Sequence, residues 1–153
     1  MYQPKRFRFE TFEELRKKNK SIVASWFDLD PSSSVDVEKM QLMFHPYGRK
    51  ELRYQLDGPK EFVLDGLKNH HLSLPESYLS WQWEKVKITG TQFPNVFWAF
   101  SSGSGVISVP EETEYSNDFL HLFVLEDDKF RLVREWSDSA RALAARGFDV
   151  PYV

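Results

Sequence analysis

Glu135 stands in a strand-like run, Phe130 to Trp136, among bulky apolar neighbours. A carboxylate turned inward there loses hydration, which raises its pKa and readies it to exchange protons near neutral pH. An unperturbed glutamate titrates near ~4.3, so the shift needed for that work is large. Alternation puts Glu135 on one face with Val133 and Arg131, and Leu132, Arg134 and Trp136 on the other. The plain alternative is a surface glutamate paired to Arg131. His70 and His71 form a second pair able to shuttle protons or hydrogen-bond a ligand carbonyl. They close a mid-chain helix, and only one of two adjacent residues can face a given way. The competing reading makes one a helix cap and leaves the other exposed. His121, inside Phe119-Leu120-His121-Leu122-Phe123, reads as a core histidine held by hydrogen bonds. Tyr115 follows an acidic turn, where its hydroxyl could meet a ligand or simply sit at a rim.

Other chemistries are excluded. The chain has 0 Cys, so thiolate metal sites, disulfides and Cys nucleophiles are ruled out. No third ligand accompanies the histidine pair at metal spacing. Ser102-Gly103-Ser104-Gly105 has neither phosphate-loop spacing nor an adjacent Lys, and no nucleophile elbow is present. The reading therefore expects no cofactor and no metal. A net charge of -3 with dispersed basic residues argues against a nucleic-acid surface. No run is long and apolar enough to span a membrane, and the N-terminus lacks signal-peptide form, so a cytoplasmic setting is expected. A length of 153 residues predicts one domain over 1–153, with room for a core without covalent staples.

The elements that must position these groups read as follows. Met1 to Phe9 is an extended, basic lead-in. Thr11 caps a first helix with an apolar stripe of Phe12, Leu15, Ile22, Val23 and Trp26. A short helix spans Val35 to Met43, and His45-Pro46-Tyr47-Gly48 is a turn before a strand from Lys50 to Leu56. Pro59 begins a helix that carries both histidines and that Pro75 ends or interrupts. Strands follow over Gln82–Thr89, Val96–Val109, Phe119–Leu125 and Phe130–Trp136, the second bent or looped at Gly103 and Gly105. Phe119–Leu125 is apolar on both faces, so both should be covered. A final helix, Ala140 to Arg146, stops at Gly147. Helices followed by an antiparallel meander predict an α+β cone, a curved antiparallel sheet around the N-terminal helices with a mouth for a small molecule.

The segment Pro94 to Val153 resembles the phenazine-biosynthesis A/B family of the ketosteroid-isomerase-like (NTF2-like, SnoaL-like) superfamily. The shared features are Pro94-Asn95 with Phe97-Trp98, Gly103-x-Gly105, and Tyr115-x-Asn117-x-Phe119-Leu120-His121-x-Phe123. They continue with Arg134-Glu135 and an aromatic, Gly147, and Val150-Pro151. Weaker likeness reaches back through Trp83 and Trp81 to His70, and to the first helix. The resemblance implies the NTF2-like cone, a homodimer formed through the sheets, and assistance to the pairwise condensation of two aminocyclohexenone carboxylates through imines. It places the acid/base role on Glu135 and ligand contacts on His70 and Tyr115. Two positions depart from the pattern. The family's carboxylate-binding Arg falls on Met40, and a Ser one helical turn beyond the His falls on Leu74. The implied pocket is more apolar, with Lys39, Arg49 or Arg53 as stand-ins for the lost cation.

The expected site is thus Glu135 and His70 as catalytic groups, with Tyr115, Met40, Leu74, His71 and Trp81 contacting the ligand. The leading reading is acid/base-assisted condensation, isomerisation or cyclisation of a small cyclic ketone or amine. Two other readings stand beside it: a non-catalytic binding protein, and a dimeric scaffold whose cone is filled by its own Trp and Phe side chains and has no cavity.

Overall fold

Thr11 starts the first helix, α1 (Phe12–Trp26), through a reciprocal cap. Its Oγ1 accepts from the Glu14 amide at 3.2 Å, and Glu14 Oε2 accepts from the Thr11 amide at 2.9 Å. Two otherwise orphaned donors are satisfied. The computed structural model describes residues 11–55 and 58–151. The predicted lead-in, Met1 to Phe9, lies outside the described residues, as does Leu56 at the end of the predicted strand. Helix α1 buries Asn19, Val23 and Trp26. Asn19 Nδ2 donates to the Pro94 carbonyl at 3.0 Å, tying the helix to the sheet. Helix α2 (Ser34–Leu42), capped by Ser33, buries Val37 and Met40.

Strand β1 (Phe44–Leu52) corrects the predicted turn. His45-Pro46-Tyr47-Gly48 lies within it, at an irregularity where its pairing with the last strand shifts between Phe44 and Arg49. Turn-type residues here mark a disrupted ladder rather than a reversal. A Cβ on Gly48 would lie 2.5 Å from the Phe130 carbonyl oxygen, so only glycine fits. Pro59 does not open a helix. Lys60–Val63 form β2, antiparallel to β1, and helix α3 runs Leu64–Ser77. Pro75 falls in its last turn without stopping it short.

Four long strands follow: β3 (Tyr78–Gly90), β4 (Val96–Ile107), β5 (Thr113–Glu126) and β6 (Lys129–Ser137). Helix α4 (Ser139–Ala144) starts at Asp138. Gly103 and Gly105 lie inside one continuous β4. The curved sheet has the order β2-β1-β6-β5-β4-β3. It is antiparallel except at β1–β6, which is parallel. Two apolar clusters fill the concave side. One joins Val23, Trp26 and Met40 to Phe97, Phe123 and Phe130. The other joins Leu52, Tyr54, Trp81, Tyr115 and Phe119. The architecture is the predicted α+β cone.

Candidate functional site

A cavity of about 400 Å³ opens where the two clusters meet, lined by both. It rules out a cone filled by its own side chains. Glu135 lies on its wall, 7% exposed. The predicted partner Arg131 is elsewhere, bound to Glu126 at 2.8 Å and to the Tyr47 carbonyl at 2.9 Å. A bulge in β6 explains this. Leu125 pairs with Phe130 and Val124 with Leu132, so Arg131 is an extra residue pushed outward. Phe130 is fully buried in its place. The same slip sets Glu135 opposite His121 rather than Leu120.

Glu135 Oε2 lies 2.9 Å from His121 Nε2, both buried. His121 is the hydrogen-bonded core histidine expected, but its partner is the candidate catalytic group. Burial alone would raise the Glu135 pKa. The His121 hydrogen bond and charge, Lys50, and the Tyr54 hydroxyl outweigh it and hold the carboxyl below its ordinary value. The pKa is therefore shifted down rather than up as expected, which favours an ionised Glu135 carboxylate.

Helix α3 separates the two histidines. His70, Leu74 and Ser77 line the cavity from one helical face, as the i, i+4, i+7 spacing allows. The His70 ring stacks on Phe62 at 4.1 Å. Burial, with help from Lys50 and His71, lowers its pKa to about 2, so it is a neutral imidazole. His71 does not line the cavity, against expectation. It is wholly buried, with Nδ1 2.7 Å from Gln41 Oε1, and burial takes its pKa to about 3.

Met40 and Trp81 line the cavity as expected. Tyr115 does not. It is buried beside Trp81, ring centroids 5.7 Å apart, and its hydroxyl accepts from Asn117 Nδ2 at 2.8 Å. None of the three expected stand-in cations reaches the cavity. Lys39 pairs with Asp36 at 3.0 Å, and Arg49 and Arg53 both bind Glu51 on the outward side of β1. The cavity cations are Lys50, Lys60 and Arg146, which sequence reasoning missed. The alternation of Lys50, Leu52 and Tyr54, all inward, was the available signal for the first. Trp26 Nε1, Trp83 Nε1 and His70 Nε2 are buried on the same walls without a hydrogen-bond partner among the described residues. The cavity can therefore offer two N–H donors, a neutral imidazole and cations to a ligand, beside one ionised carboxylate. No helix among the described residues is long and apolar enough to cross a membrane.

The chain is similar to known proteins over nearly its whole length. A family model described as phenazine biosynthesis protein A/B matches residues 2–153. Phenazine biosynthesis protein PhzB1 of Pseudomonas aeruginosa is 31% identical over 150 residues, 95% of this chain and 90% of that protein. The crystal structure of a phenazine biosynthesis-related protein, phzb2, from P. aeruginosa superposes with a TM-score of 0.84 at 29% identity, covering 93% of each chain. A protein from Jannaschia sp. assigned as a SnoaL-like polyketide cyclase shares the fold, with a TM-score of 0.72 at 13% identity over 93% of this chain and 99% of that one. With a family model spanning all but its first residue, the chain belongs to the phenazine biosynthesis protein A/B family.

Proposed function

We propose that this protein is an acid/base catalyst that assists condensation of small cyclic ketones and amines in its cavity, or a related isomerisation or cyclisation. The observation that supports it is the ionised Glu135 carboxylate on the wall of a ligand-sized cavity, oriented by His121. Held below its ordinary pKa, Glu135 serves first as base. As the C–N bond forms, it takes one proton from the amine nitrogen and passes it to the ketone oxygen, giving the hydroxyl. It then takes the nitrogen's second proton and gives it to that hydroxyl as the C–O bond breaks, releasing water, leaving the imine and returning Glu135 to its ionised state. Neutral His70 can hydrogen-bond the ketone or hydroxyl oxygen but carries no charge to the reaction. Met40, Leu74 and Trp81 contact the ring.

The test is condensation of an aminocyclohexenone carboxylate by wild type and Glu135→Gln, corrected for the spontaneous reaction. Acceleration lost in the variant, by about 100-fold or more, is expected. No acceleration by wild type would sink the catalytic reading. The low Glu135 pKa is the one observation that favours a binding-only protein, and ligand binding with no acceleration by either protein would establish it.

A homodimer joined through the outer sheet face belongs to the same proposal. Trp98 and Trp136 pack there as a tilted pair with ring centroids 5.8 Å apart, beside the 57% exposed Phe100. A cytoplasmic setting completes it, and a chain with 0 Cys suits a reducing compartment.

A further inference from the structure

Three cations line the cavity against the single carboxylate of Glu135, and they are not equivalent. Lys60 is exposed, and Arg146 is half-buried with Nη1 donating to the Ala142 carbonyl at 2.8 Å. Lys50 is only 5% exposed. Among the described residues its ammonium makes no hydrogen bond or ion pair, and Nζ lies over the Trp26 ring, 5.4 Å from the centroid. A desolvated ammonium is retained in a protein when something hydrogen-bonds it. Burial lowers the Lys50 pKa and the Glu135 carboxylate opposes that shift, while Glu135 Oε2 is itself bonded to His121. The Trp26 indole N–H, on the ring beneath Lys50, is likewise buried without a partner among the described residues. A charged donor and a neutral donor thus border one stretch of cavity. Two adjacent donors of this kind match a carboxylate, which only accepts and has two oxygens.

We propose that Lys50 and the Trp26 indole N–H bind the carboxylate of an anionic ring ligand, supplying the charge pairing that Met40 cannot. The inference rests on the cavity being the ligand site, as in the function proposed above. Register gives it a consequence for orientation. Lys50 pairs with Val133 and Leu52 with Glu135, so the two side chains rise from diagonal inward positions on neighbouring strands. A ring held at Lys50 by its carboxylate can then turn a carbonyl toward Glu135. Lys50 therefore sets which end of the ring meets Glu135.

The experiment titrates wild type, Lys50→Met and Lys50→Arg with oxocyclohexane carboxylate and with its isosteric carboxamide, following tryptophan fluorescence and calorimetry. Wild type is expected to favour the carboxylate by about tenfold or more. Lys50→Met abolishes the preference while carboxamide affinity stays within about threefold, and Lys50→Arg keeps a preference. The assignment is overturned if wild type binds both probes equally, if the preference survives Lys50→Met, or if Arg146→Met abolishes it instead. Should Lys50→Met fail to fold, the wild-type comparison and Lys50→Arg still decide. Equal binding of both probes removes only the Lys50 assignment. Binding of neither removes the cavity reading and this inference with it.

Discussion

Glu135 is buried and ionised at once, so its partners carry a stabilising duty as well as a chemical one. Its folded pKa lies below the unfolded value, so its contribution is present above about pH 4.3 and is lost as pH falls through the folded pKa. Replacing His121 by Leu leaves the desolvation of that carboxylate largely unopposed and raises its pKa. We expect a loss of about 3 kcal/mol at pH 7, shrinking near pH 4 where the carboxyl takes up a proton. Chemical denaturation of both proteins at the two pH values measures this, and an equal gap at both would mean that no charge is being held. His70 and His71 act in the same direction. Their pKa values, about 2 and about 3, lie far below the unfolded histidine value. The stability they contribute is complete above about pH 6.5 and falls as the medium becomes acid, by about 1.4 kcal/mol per pH unit for each group. His70→Gln should flatten the stability profile between pH 6.5 and 5 by that slope. An unchanged slope would mean that His70 is already charged there.

At the element scale, small irregularities decide which side chains meet. The two-residue turn after Glu126 sets Glu126 opposite Lys129, and regular pairing from there would place Leu120 across from Glu135. The extra residue Arg131 shifts that register by one and brings His121 there instead. Residue types announced the hairpin and its strands, but nothing in an alternation pattern announces a bulge. This is why Glu135 could be read as a site residue while its partner could not. The prolines and glycines misled for a related reason. His45-Pro46-Tyr47-Gly48 has turn chemistry, yet close approach of the Phe130 carbonyl keeps that stretch in the sheet. Gly103 is legible only in hindsight. A Cβ there would lie 2.2 Å from Trp81 Cζ2 and 3.1 Å from Phe119. Because Trp81 lines the cavity, Gly103→Ala is expected to displace its ring into the ligand space. Overpacking of this kind costs about 1–3 kcal/mol. Denaturation together with ring-ligand titration should show both lower stability and weaker binding, and a ligand affinity equal to wild type would mean that the ring yields in another direction.

The whole molecule joins a concave, ligand-facing side to a convex one, and β5 displays both. Tyr115, Asn117, Phe119, His121, Phe123 and Leu125 are buried inward, while Leu120, Leu122 and Val124 are half-covered outward. The cone and its family motifs were readable because they depend on strand period and on rare residues in order. The cavity cations were not, because Lys50 and Arg146 lie far apart in sequence and meet only through the parallel β1–β6 pairing and the tail after β6. The outward half of β5 carries a prediction of its own. Leu120 pairs with both Phe100 and Trp136, and Leu122 with Trp98, so these side chains form one apolar strip across three strands. A strip of that kind on a twisted sheet is covered most simply by its own copy, since a two-fold axis pairs identical patches. Phe100, at 57% exposure, contributes little to the isolated fold, so Phe100→Lys should leave thermal stability of the monomer and ring-ligand binding nearly unchanged. It places a charge in the centre of the strip, and sedimentation should show a wild-type dimer and a variant monomer at the same concentration. A variant that remains dimeric would move the interface off this face, and a monomeric wild type would remove the dimer altogether.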